Sequence, residues 1–499
     1  MGVARRPLWL LIFGTFTGLA FLFLSDRSKF ELDLSRWHRP LVSLPNHGKP
    51  SRPRPLNVGS LAQDEQILQD LQLGAGYEYR RLCFDVRPVE GLSRTSLEEV
   101  SASLLNGNTI EGLKADGDLL PCSASVRIDV PYFDPHPVQD TSELMLGVAT
   151  TLKRIDESLP AMSRFLAYSG TPLLVLLLDV PDLNTSNDQI TTLRAKAQAL
   201  GIEAIYVSFQ PTVRETQGTM NFALAEVLHQ NRQPSTKWFG VMDDDTFFVS
   251  LPPVLDALAL YNPEREWYVG ALTEGLFRIA QEGFKAWGGA GFFVSPPLMQ
   301  KLADNSERCR VLDRGWGDLL WRDCILEITS PPVKLTQMSG LHQIDLWGDV
   351  SGWYESGWTQ VLTVHHWKSW HYHSVPLAHE VTDIAGPDSF LQRYLFDDNV
   401  VLTNGYSIVH YPNGLPDLNK TELTFTEEVN VVVKPPETEL MHSFGATRPA
   451  LKVGKDKISW KFEYSTQGSG GSVRTFYVKR GGPDGGQDSL IELDWKRIS

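Results

Sequence analysis

The chain has 499 residues and a formal net charge of −14 at pH 7. This length allows two or three domains, and a hydrophobic fraction of 42% is enough for a large core. The acidic balance argues against a nucleic-acid partner and is compatible with a site that attracts a divalent cation.

The first 60 residues have the pattern of a membrane anchor and stem. A short tail, residues 1–7, contains two arginines and precedes an uncharged apolar run over residues 8–24. That run is at the short end for a membrane helix and suits the thinner membranes of the Golgi or endoplasmic reticulum. The arginines favour a cytoplasmic N-terminus, and no small-residue cleavage site follows, so we predict a retained signal anchor. Residues 25–60 are polar and proline-rich, which is typical of a solvated stem.

If the part of the chain after the anchor lies in the lumen, it can form disulfides and carry N-linked glycans. The even number of cysteines is compatible with two disulfides, although the spacing does not fix which residues pair: Cys83, Cys122, Cys309 and Cys324. Asn184 and Asn419 each begin an Asn-x-Ser/Thr triplet and are candidate glycosylation sites. Residues 61–140, which begin with helical spacing over 61–73, are predicted to be an ordered N-terminal extension without chemistry of its own.

Strands and helices are predicted to alternate from residue 141 onward. The predicted strands cover residues 143–150, 172–179, 203–209, 238–242 and 267–272. The predicted helices cover residues 151–166, 191–200, 219–229 and 252–260. This alternation predicts an α/β fold with a mostly parallel sheet and helices on both faces. Ligands of such sheets bind beyond the carboxyl ends of the strands.

Three consecutive aspartates follow the predicted strand 238–242. The sequence KWFGVMDDDTFFVS, residues 237–250, places Asp243, Asp244 and Asp245 between two apolar runs. In extended chain, residues i and i+2 point the same way, so Asp243 and Asp245 converge while Asp244 points away. Converging carboxylates repel each other unless a cation such as Mg²⁺ or Mn²⁺ lies between them. An acidic turn or a helix cap near Leu251 is the alternative interpretation.

Two segments with functional potential follow. Residues 287–295, WGGAGFFVS, contain three glycines that allow either close backbone approach to a ligand or a tight turn into a strand over 292–295. Residues 315–324, GWGDLLWRDC, place Asp318 at a predicted helix start, where it is either an N-cap or a functional carboxylate.

Five of the 12 histidines lie within residues 361–379: His365, His366, His371, His373 and His379. Histidine beside carboxylates is a common ligand set for a divalent transition metal. Five residues cannot all be metal ligands, and His371 and His373, which are two positions apart, are compatible with one face of a strand.

The last part of the chain, residues 396–499, contains short β-prone runs at 400–402, 423–425, 429–433, 458–462 and 473–478. These runs predict a small β-rich appendage.

Residues 144–379 resemble the fringe-like β1,3-glycosyltransferases of glycosyltransferase family 31, which includes the core-1 galactosyltransferases. Four stretches are similar to the family's motifs and follow the same order: LGVATT at 146–151, KWFGVMDDDTFFV at 237–249, GGAGFFVS at 288–295 and GD at 317–318. The predicted stem and the β-rich appendage lie outside the resemblance.

The resemblance implies a GT-A fold over residues 141–395, with a Rossmann-like mixed, mostly parallel sheet. It also implies a UDP-sugar donor, a divalent cation (Mn²⁺ or Mg²⁺) and an acceptor glycan or glycoprotein. Inversion at the anomeric carbon would give a β linkage.

Residue roles carry over by motif. The metal ligands implied are Asp243, Asp245 and a histidine, with His366 preferred to His365. Asp318 matches the general base, with Asp323 as the substitute. The positions implied for the donor, including ribose and phosphate, are Thr150, Thr151, Arg154, Asp243 and Asp244. The loop facing donor and acceptor comprises Trp287, Gly288, Gly289, Gly291 and Trp316.

These inferences together predict a metal-dependent, inverting glycosyltransferase, held in the Golgi or endoplasmic-reticulum membrane by one N-terminal helix. The sequence leaves a homodimer open. Two other hypotheses are a lumenal glycan-binding protein on a decayed transferase fold and a metal-dependent hydrolase that needs no acceptor. The first is disfavoured by the retained aspartates, which repel one another without a cation.

Overall fold

The computed structural model describes residues 67–498 except 68, 75, 106–108, 112–124, 135–139, 185–186, 211–214, 369, 372, 428–443 and 483–485. The predicted tail, anchor and stem therefore lie outside the described residues, as do Cys122 and the predicted run 429–433. No helix within the described ranges is long and apolar enough to cross a membrane.

Four strands precede the α/β region. They are β1 (Glu78–Val89), β2 (Leu97–Val100), β3 (Thr109–Glu111) and β4 (Ser125–Pro131). Strands and helices then alternate. The next strands are β5 (Leu144–Thr150), β6 (Leu173–Leu177), β7 (Ala204–Ser208), β8 (Trp238–Met242), β9 (Phe247–Phe248), β10 (Tyr268–Gly270), β11 (Phe292–Val294) and β12 (Leu335–Gln337).

The helices of this region include those predicted from the sequence and three that were not predicted, over residues 276–282, 296–304 and 306–310. They are α1 (Leu152–Leu166), α2 (Asn187–Ala199), α3 (Gln217–Phe222), α4 (Leu224–Gln230), α5 (Pro252–Leu258), α6 (Leu276–Glu282), α7 (Pro296–Asp304), α8 (Ser306–Arg310) and α9 (Gly317–Ile328). The helix predicted over 219–229 is divided between α3 and α4 by Ala223, whose backbone N–H bonds to Thr219 and Asn221 carbonyls.

A seven-stranded sheet forms the centre of the α/β region, in the order β12-β10-β11-β8-β5-β6-β7. Strands β8, β5, β6 and β7 are parallel, whereas β11 runs antiparallel to both of its neighbours. Strand β5 is buried on both faces: Leu146 and Val148 pack with α1 and α2, and Met145 packs with α3, α4 and α9. The prediction of a mixed α/β fold with a buried, mostly parallel sheet is confirmed.

Shorter elements link this sheet to a second one. They are β13 (Leu346–Gly348), α10 (Ser351–Ser356), β14 (Thr363–Val364), α11 (Val375–Ala378) and α12 (Thr382–Ala385). The remaining strands are β15 (Arg393–Phe396), β16 (Val400–Thr403), β17 (Ser407–His410), β18 (Thr421–Leu423), β19 (Phe425–Glu427), β20 (Thr447–Pro449), β21 (Ile458–Gln467), β22 (Val473–Lys479) and β23 (Ser489–Arg497).

The second sheet has ten strands and joins the two ends of the described chain. Its order is β2-β15-β16-β17-β21-β22-β23-β1-β3, and β4 also pairs with β1. Strand β1 runs parallel to β23, with Glu78 opposite Ser489. Buried Glu492 of β23 accepts hydrogen bonds from the Tyr79 hydroxyl (2.6 Å) and from Arg474 Nε (2.7 Å). The sequence predicted two separate regions, residues 61–140 and 396–499. Strands of both regions instead belong to one sheet.

Two buried histidines make stability depend on pH. Nε2 of His379 donates to the Val249 carbonyl (2.9 Å), and Nε2 of His373 donates to the Gly405 carbonyl (2.6 Å). Burial lowers the pKa of His379 to about 3, with a further contribution from the Arg164 charge, and it lowers the pKa of His373 to about 4. Both side chains are therefore neutral in the folded protein.

The free energy of unfolding is expected to fall as pH drops from about 6.5 toward 4. In that window the unfolded chain binds protons at His373 and His379 while the folded chain does not, at a cost of about 1.4 kcal/mol per pH unit for each histidine. Denaturant titrations at pH 7, 6 and 5 would measure the slope. His379→Gln keeps a donor for the Val249 carbonyl and removes one titrating group, so its slope should be shallower by that amount; an unchanged slope would contradict the assignment.

Candidate active site

The three aspartates form a tight turn at the carboxyl end of β8. The Asp243 backbone N–H donates to Thr246 Oγ1 (3.0 Å), and the Thr246 N–H returns to the Asp243 carbonyl (3.2 Å). Thr246 Oγ1 in turn donates to the Gly289 carbonyl (2.9 Å). One threonine therefore fixes the acidic turn and ties it to the glycine-rich loop.

The turn separates the aspartates in the way that the sequence predicted, although the chain is not extended here. Asp245 Oδ1 lies 3.0 Å and Asp243 Oδ2 lies 3.6 Å from Nε2 of His365. Asp244 points away and is 5% exposed; it accepts two hydrogen bonds of 2.6 Å from Arg154 and one from the Thr150 hydroxyl. Asp243 and Asp245 thus face one histidine while Asp244 anchors the end of β5 and the start of α1.

Strand pairing brings His365 to this place. It directly follows β14, which pairs antiparallel with β9, so the histidine lies opposite the aspartate turn. Its Nδ1 lies 3.2 Å from the Gln343 carbonyl, an acceptor only, so Nδ1 carries a proton. Nε2 is then the nitrogen available to the carboxylates or to a metal ion.

His366 lies beside His365, with ring centroids 3.8 Å apart. Its other face stacks on Trp370 at 3.8 Å and an interplanar angle of 6°, and its Nε2 lies 3.1 Å from Asp345 Oδ1. Ligand atoms of Asp245, His365 and His366 all lie within 4.8 Å of one another. The sequence preferred His366 to His365; the structure places His365 against the aspartates and His366 next to it.

The electrostatics of this group favour a bound cation. Burial lowers the pKa of His365, but the hydrogen bond and charge of Asp245 outweigh burial and raise that pKa to about 9. Burial raises the pKa of Asp243 to about 7, with further contributions from Asp318, Asp245 and Asp244 and an opposing one from His365. The half-exposed carboxylate of Asp243, the largely buried carboxylate of Asp245 and an imidazole nitrogen face one another and form a donor set that fits a divalent metal ion.

Asp318 lies in the first turn of α9 but does not cap the helix. Its Oδ1 accepts a hydrogen bond from the Gly288 N–H (3.1 Å), and its Oδ2 pairs with Nζ of Lys285 (3.0 Å). Lys285 is 2% exposed and lies 3.4 Å from the ring centroid of Trp287. Asp323, the alternative general base predicted from the sequence, pairs instead with Arg322 and Arg314.

The glycines of the loop leave room for functional side chains. A Cβ at Gly288 would lie 2.8 Å from Asp318 Oδ1 and 3.8 Å from Asp243 Oδ1, so the two carboxylates flank this residue. A Cβ at Gly289 would lie 2.1 Å from Cε1 of His365. Gly291 has φ +79°, a conformation that favours glycine. Close approach therefore explains the first two glycines and backbone conformation explains the third.

The predicted donor residues cluster at the carboxyl end of β5. Thr151 is the N-cap of α1, where its hydroxyl accepts from the Arg154 N–H (3.4 Å). The Arg154 side chain is 60% exposed although Asp244 holds its guanidinium. Across the site, Trp316 is 62% exposed and Trp287 is buried. Arg154 and Trp316 are thus the predicted ligand-facing side chains that are most accessible to solvent.

Other predicted residues lie elsewhere. His371, His373 and His379 each donate to a backbone carbonyl, of Ile344, Gly405 and Val249 respectively. Cys309 and Cys324 form a disulfide between α8 and α9, and Cys83 is disulfide-bonded too. Asn184 and Asn419 are exposed.

Several residues of the site were missed by sequence reasoning. Asp345 bonds His366, Gln343 bonds His365, Lys285 pairs with Asp318, and Lys368 Nζ donates to the Asp244 carbonyl (3.2 Å). Lys285, two residues before the glycine-rich motif, and Lys368, within the histidine-rich segment 361–379, had a positional signal. Gln343 and Asp345 lie in a segment without a motif.

Comparison with known proteins gives one partial family match. A family model described as "Protein of unknown function, DUF604" matches residues 280–406, about a quarter of the chain. This range includes the glycine-rich loop, Asp318 and the histidine pair. No curated protein matches the chain significantly.

Three solved structures illustrate the structural similarity. The mannosyltransferase PcManGT from Pyrobaculum calidifontis, in complex with GDP-Man and Mn²⁺, is 11% identical (TM-score 0.28); the match covers 42% of this chain and 57% of that one. Mouse xyloside xylosyltransferase 1, in its apo form, is 12% identical (TM-score 0.26), and the match covers 40% of this chain and 85% of that one. The galactosyltransferase LgtC is 12% identical (TM-score 0.27), and the match covers 39% of this chain and 73% of that one. The first match spans less than two thirds of the mannosyltransferase. At these TM-scores none of the three matches bears on the function of this chain.

Proposed function

We propose that the protein transfers a sugar from a UDP-sugar to a hydroxyl of an acceptor glycan, with inversion and a β1,3 linkage. One observation carries this proposal: Asp243, Asp245 and His365 converge at the carboxyl end of β8, and Asp318 faces them across Gly288. Such an edge is where α/β sheets bind their ligands. The family 31 resemblance supplies the reaction type.

The residues on the β8 side suit a metal ion and the diphosphate. Asp243, Asp245, His365 and His366 would hold Mn²⁺ or Mg²⁺, which when bound supplies positive charge against the leaving diphosphate. Arg154, held by two hydrogen bonds to Asp244, presents a further exposed positive charge at the start of α1. Preorganised charges of this kind stabilise a developing anion without reorganisation.

Asp318 suits the role of general base. Lys285 and the Gly288 N–H each hold one of its oxygens, which fixes the carboxylate and leaves a second lone pair on each oxygen. In a single displacement the acceptor oxygen attacks the anomeric carbon, the bond from that carbon to the UDP oxygen breaks, and the acceptor proton passes to Asp318. An α-linked donor then gives a β-linked product.

The proposed location is the lumen of the Golgi or endoplasmic reticulum, in a single-pass type II orientation. The N-terminal pattern of residues 1–24 supports this proposal, and so do the disulfides at Cys83 and between Cys309 and Cys324, since disulfides persist in oxidising compartments.

UDP release by the purified full-length protein tests the activity. UDP-galactose, UDP-GlcNAc and UDP-glucose are supplied in turn with Mn²⁺, with and without mixed glycan acceptors, and with an EDTA arm. Release that needs metal and is stimulated by acceptor supports the proposal. Release of free sugar without acceptor indicates a hydrolase, and no release from a folded protein overturns the transferase in favour of a glycan-binding protein.

Asp318→Asn is expected to lower kcat by about 10²–10⁴-fold, the usual contribution of a general base. Asparagine keeps an acceptor for the Gly288 N–H but cannot take the proton. Mn²⁺ affinity should change little because Asp318 does not contact His365. Asp323→Asn, on the same helix, is the matched control and should retain activity; a larger loss in Asp323→Asn would move the base to that residue.

A further inference from the structure

Asp345, a buried carboxylate outside the aspartate turn, contacts His366. Asp345 is 2% exposed, and its Oδ1 lies 3.1 Å from Nε2 of His366. Its Oδ2 accepts a hydrogen bond from the Thr273 hydroxyl (2.7 Å), and Nε of Arg278 lies 3.7 Å away. The carboxylate is therefore held by Thr273, from the segment between β10 and α6, and by Arg278 of α6, independently of the histidine.

The two neighbouring histidines are held by opposite ring nitrogens. The Gln343 carbonyl accepts from Nδ1 of His365, and Asp345 accepts from Nε2 of His366. In its neutral form, each ring has its lone pair on the other nitrogen, Nε2 in His365 and Nδ1 in His366. With Asp245 these rings form the group whose ligand atoms lie within 4.8 Å of one another.

The backbone around this pair adopts an uncommon conformation. His366 has φ +56° and Ile344, beside Asp345, has φ +57°. Positive φ is disfavoured for non-glycine residues, and more strongly for a β-branched isoleucine. Such conformations persist where the surroundings determine them. Here the surroundings include Trp370 stacked on His366 and the Ile344 N–H donating to Glu274 (2.7 Å).

We propose that Asp345 is a positioning residue that holds His366 with Nδ1 toward Asp245 and His365, so that the metal site contains two imidazoles. Two nitrogens beside carboxylate oxygens favour a first-row transition metal over Mg²⁺ and Ca²⁺, which prefer sites made of oxygen ligands alone. This inference rests on the metal site of the proposed function and adds the residue that orients it and the class of metal it takes.

Direct metal binding to the full-length protein tests the inference without any sugar. Mn²⁺ is titrated and the free ion is followed by electron paramagnetic resonance, alone and with UDP; Mg²⁺ and Ca²⁺ are then used as competitors. Asp345→Asn is expected to weaken Mn²⁺ binding by about 10–100-fold, the usual effect of removing such a hydrogen-bond partner. His366→Gln should weaken binding at least as much.

A double variant separates positioning from general stability. If Asp345 acts through His366, the Asp345→Asn/His366→Gln protein should bind Mn²⁺ no more weakly than His366→Gln alone. Asp349→Asn is the matched control: it removes a carboxylate that pairs with Lys461 (2.6 Å), so it should lower the thermal midpoint without changing Mn²⁺ affinity.

Each outcome has a definite meaning. Unchanged Mn²⁺ affinity in a folded Asp345→Asn protein, or additive losses in the double variant, overturns the positioning role. Equal affinity for Mn²⁺ and Mg²⁺ overturns the metal class. If Asp345→Asn does not fold, His366→Gln decides, because unaltered Mn²⁺ binding by that variant overturns the two-imidazole site. A wild-type protein that binds no Mn²⁺ overturns the metal centre of the proposed function itself.

Discussion

Asp245→Ala is expected to lower the rate of sugar transfer by at least about 10²–10³-fold, the loss typical when one preorganised electrostatic partner is removed. Asp245 supplies the carboxylate oxygen nearest to His365, at 3.0 Å. Its removal takes away a proposed metal ligand and leaves Nε2 of the buried His365 without this carboxylate. Initial rates at saturating UDP-sugar, over a range of Mn²⁺ concentrations, measure the effect.

The control for this substitution is Asp256→Ala. Asp256 is an exposed carboxylate on α5, so its removal changes the net charge equally without touching the site. Transfer by Asp256→Ala should equal that of the wild type. Wild-type rates in a folded Asp245→Ala protein would remove the aspartate turn from the mechanism and favour a binding function.

Gly289→Ala is expected to abolish transfer and Mn²⁺ binding together, with an effect as large as that of His365→Ala. The added methyl group would lie 2.1 Å from Cε1 and 2.2 Å from Nδ1 of His365. These distances are well inside van der Waals contact, and the ring is buried, so it must leave its position between the Gln343 carbonyl and Asp245. A single added carbon would then displace a proposed metal ligand.

Gly275→Ala is the matched control, because a methyl group there would meet its nearest atom, Thr273 Oγ1, at 3.6 Å. Activity and Mn²⁺ binding should both survive. Circular dichroism on Gly289→Ala distinguishes a displaced ligand from an unfolded chain. A folded Gly289→Ala protein with normal Mn²⁺ affinity would show that His365 is not a ligand.

The parts predicted from sequence are those set by local pattern. Strand β8 has the predicted bounds, Trp238–Met242, because a continuous apolar run next to a polar turn defines a buried strand. The alternation of side chains then predicts that Asp243 and Asp245 share one side. The choice between His365 and His366 lay beyond this reasoning, because the left-handed backbone at His366 breaks the alternation that sequence reasoning relies on.

The features that the sequence did not predict are those formed by residues that are far apart in the chain. Asp345 meets His366 and Thr273 through an irregular segment that has no periodicity to identify it. The ten-stranded sheet was divided into two predicted parts because the pairing of β1 with β23 joins residues that are more than 400 positions apart in the chain. Pattern reasoning works within a window of about 11–18 residues and does not detect such pairing.

This pairing also has a consequence during protein synthesis. While the nascent chain grows, β1 has no partner on its β23 side until residues 489–497 have been translated. Until then one edge of β1 is unpaired, and Tyr79 and Arg81 lack Glu492. Unpaired strand edges are prone to aggregate, and non-local strand pairing forms slowly. Chains halted before residue 489 should therefore remain bound to chaperones.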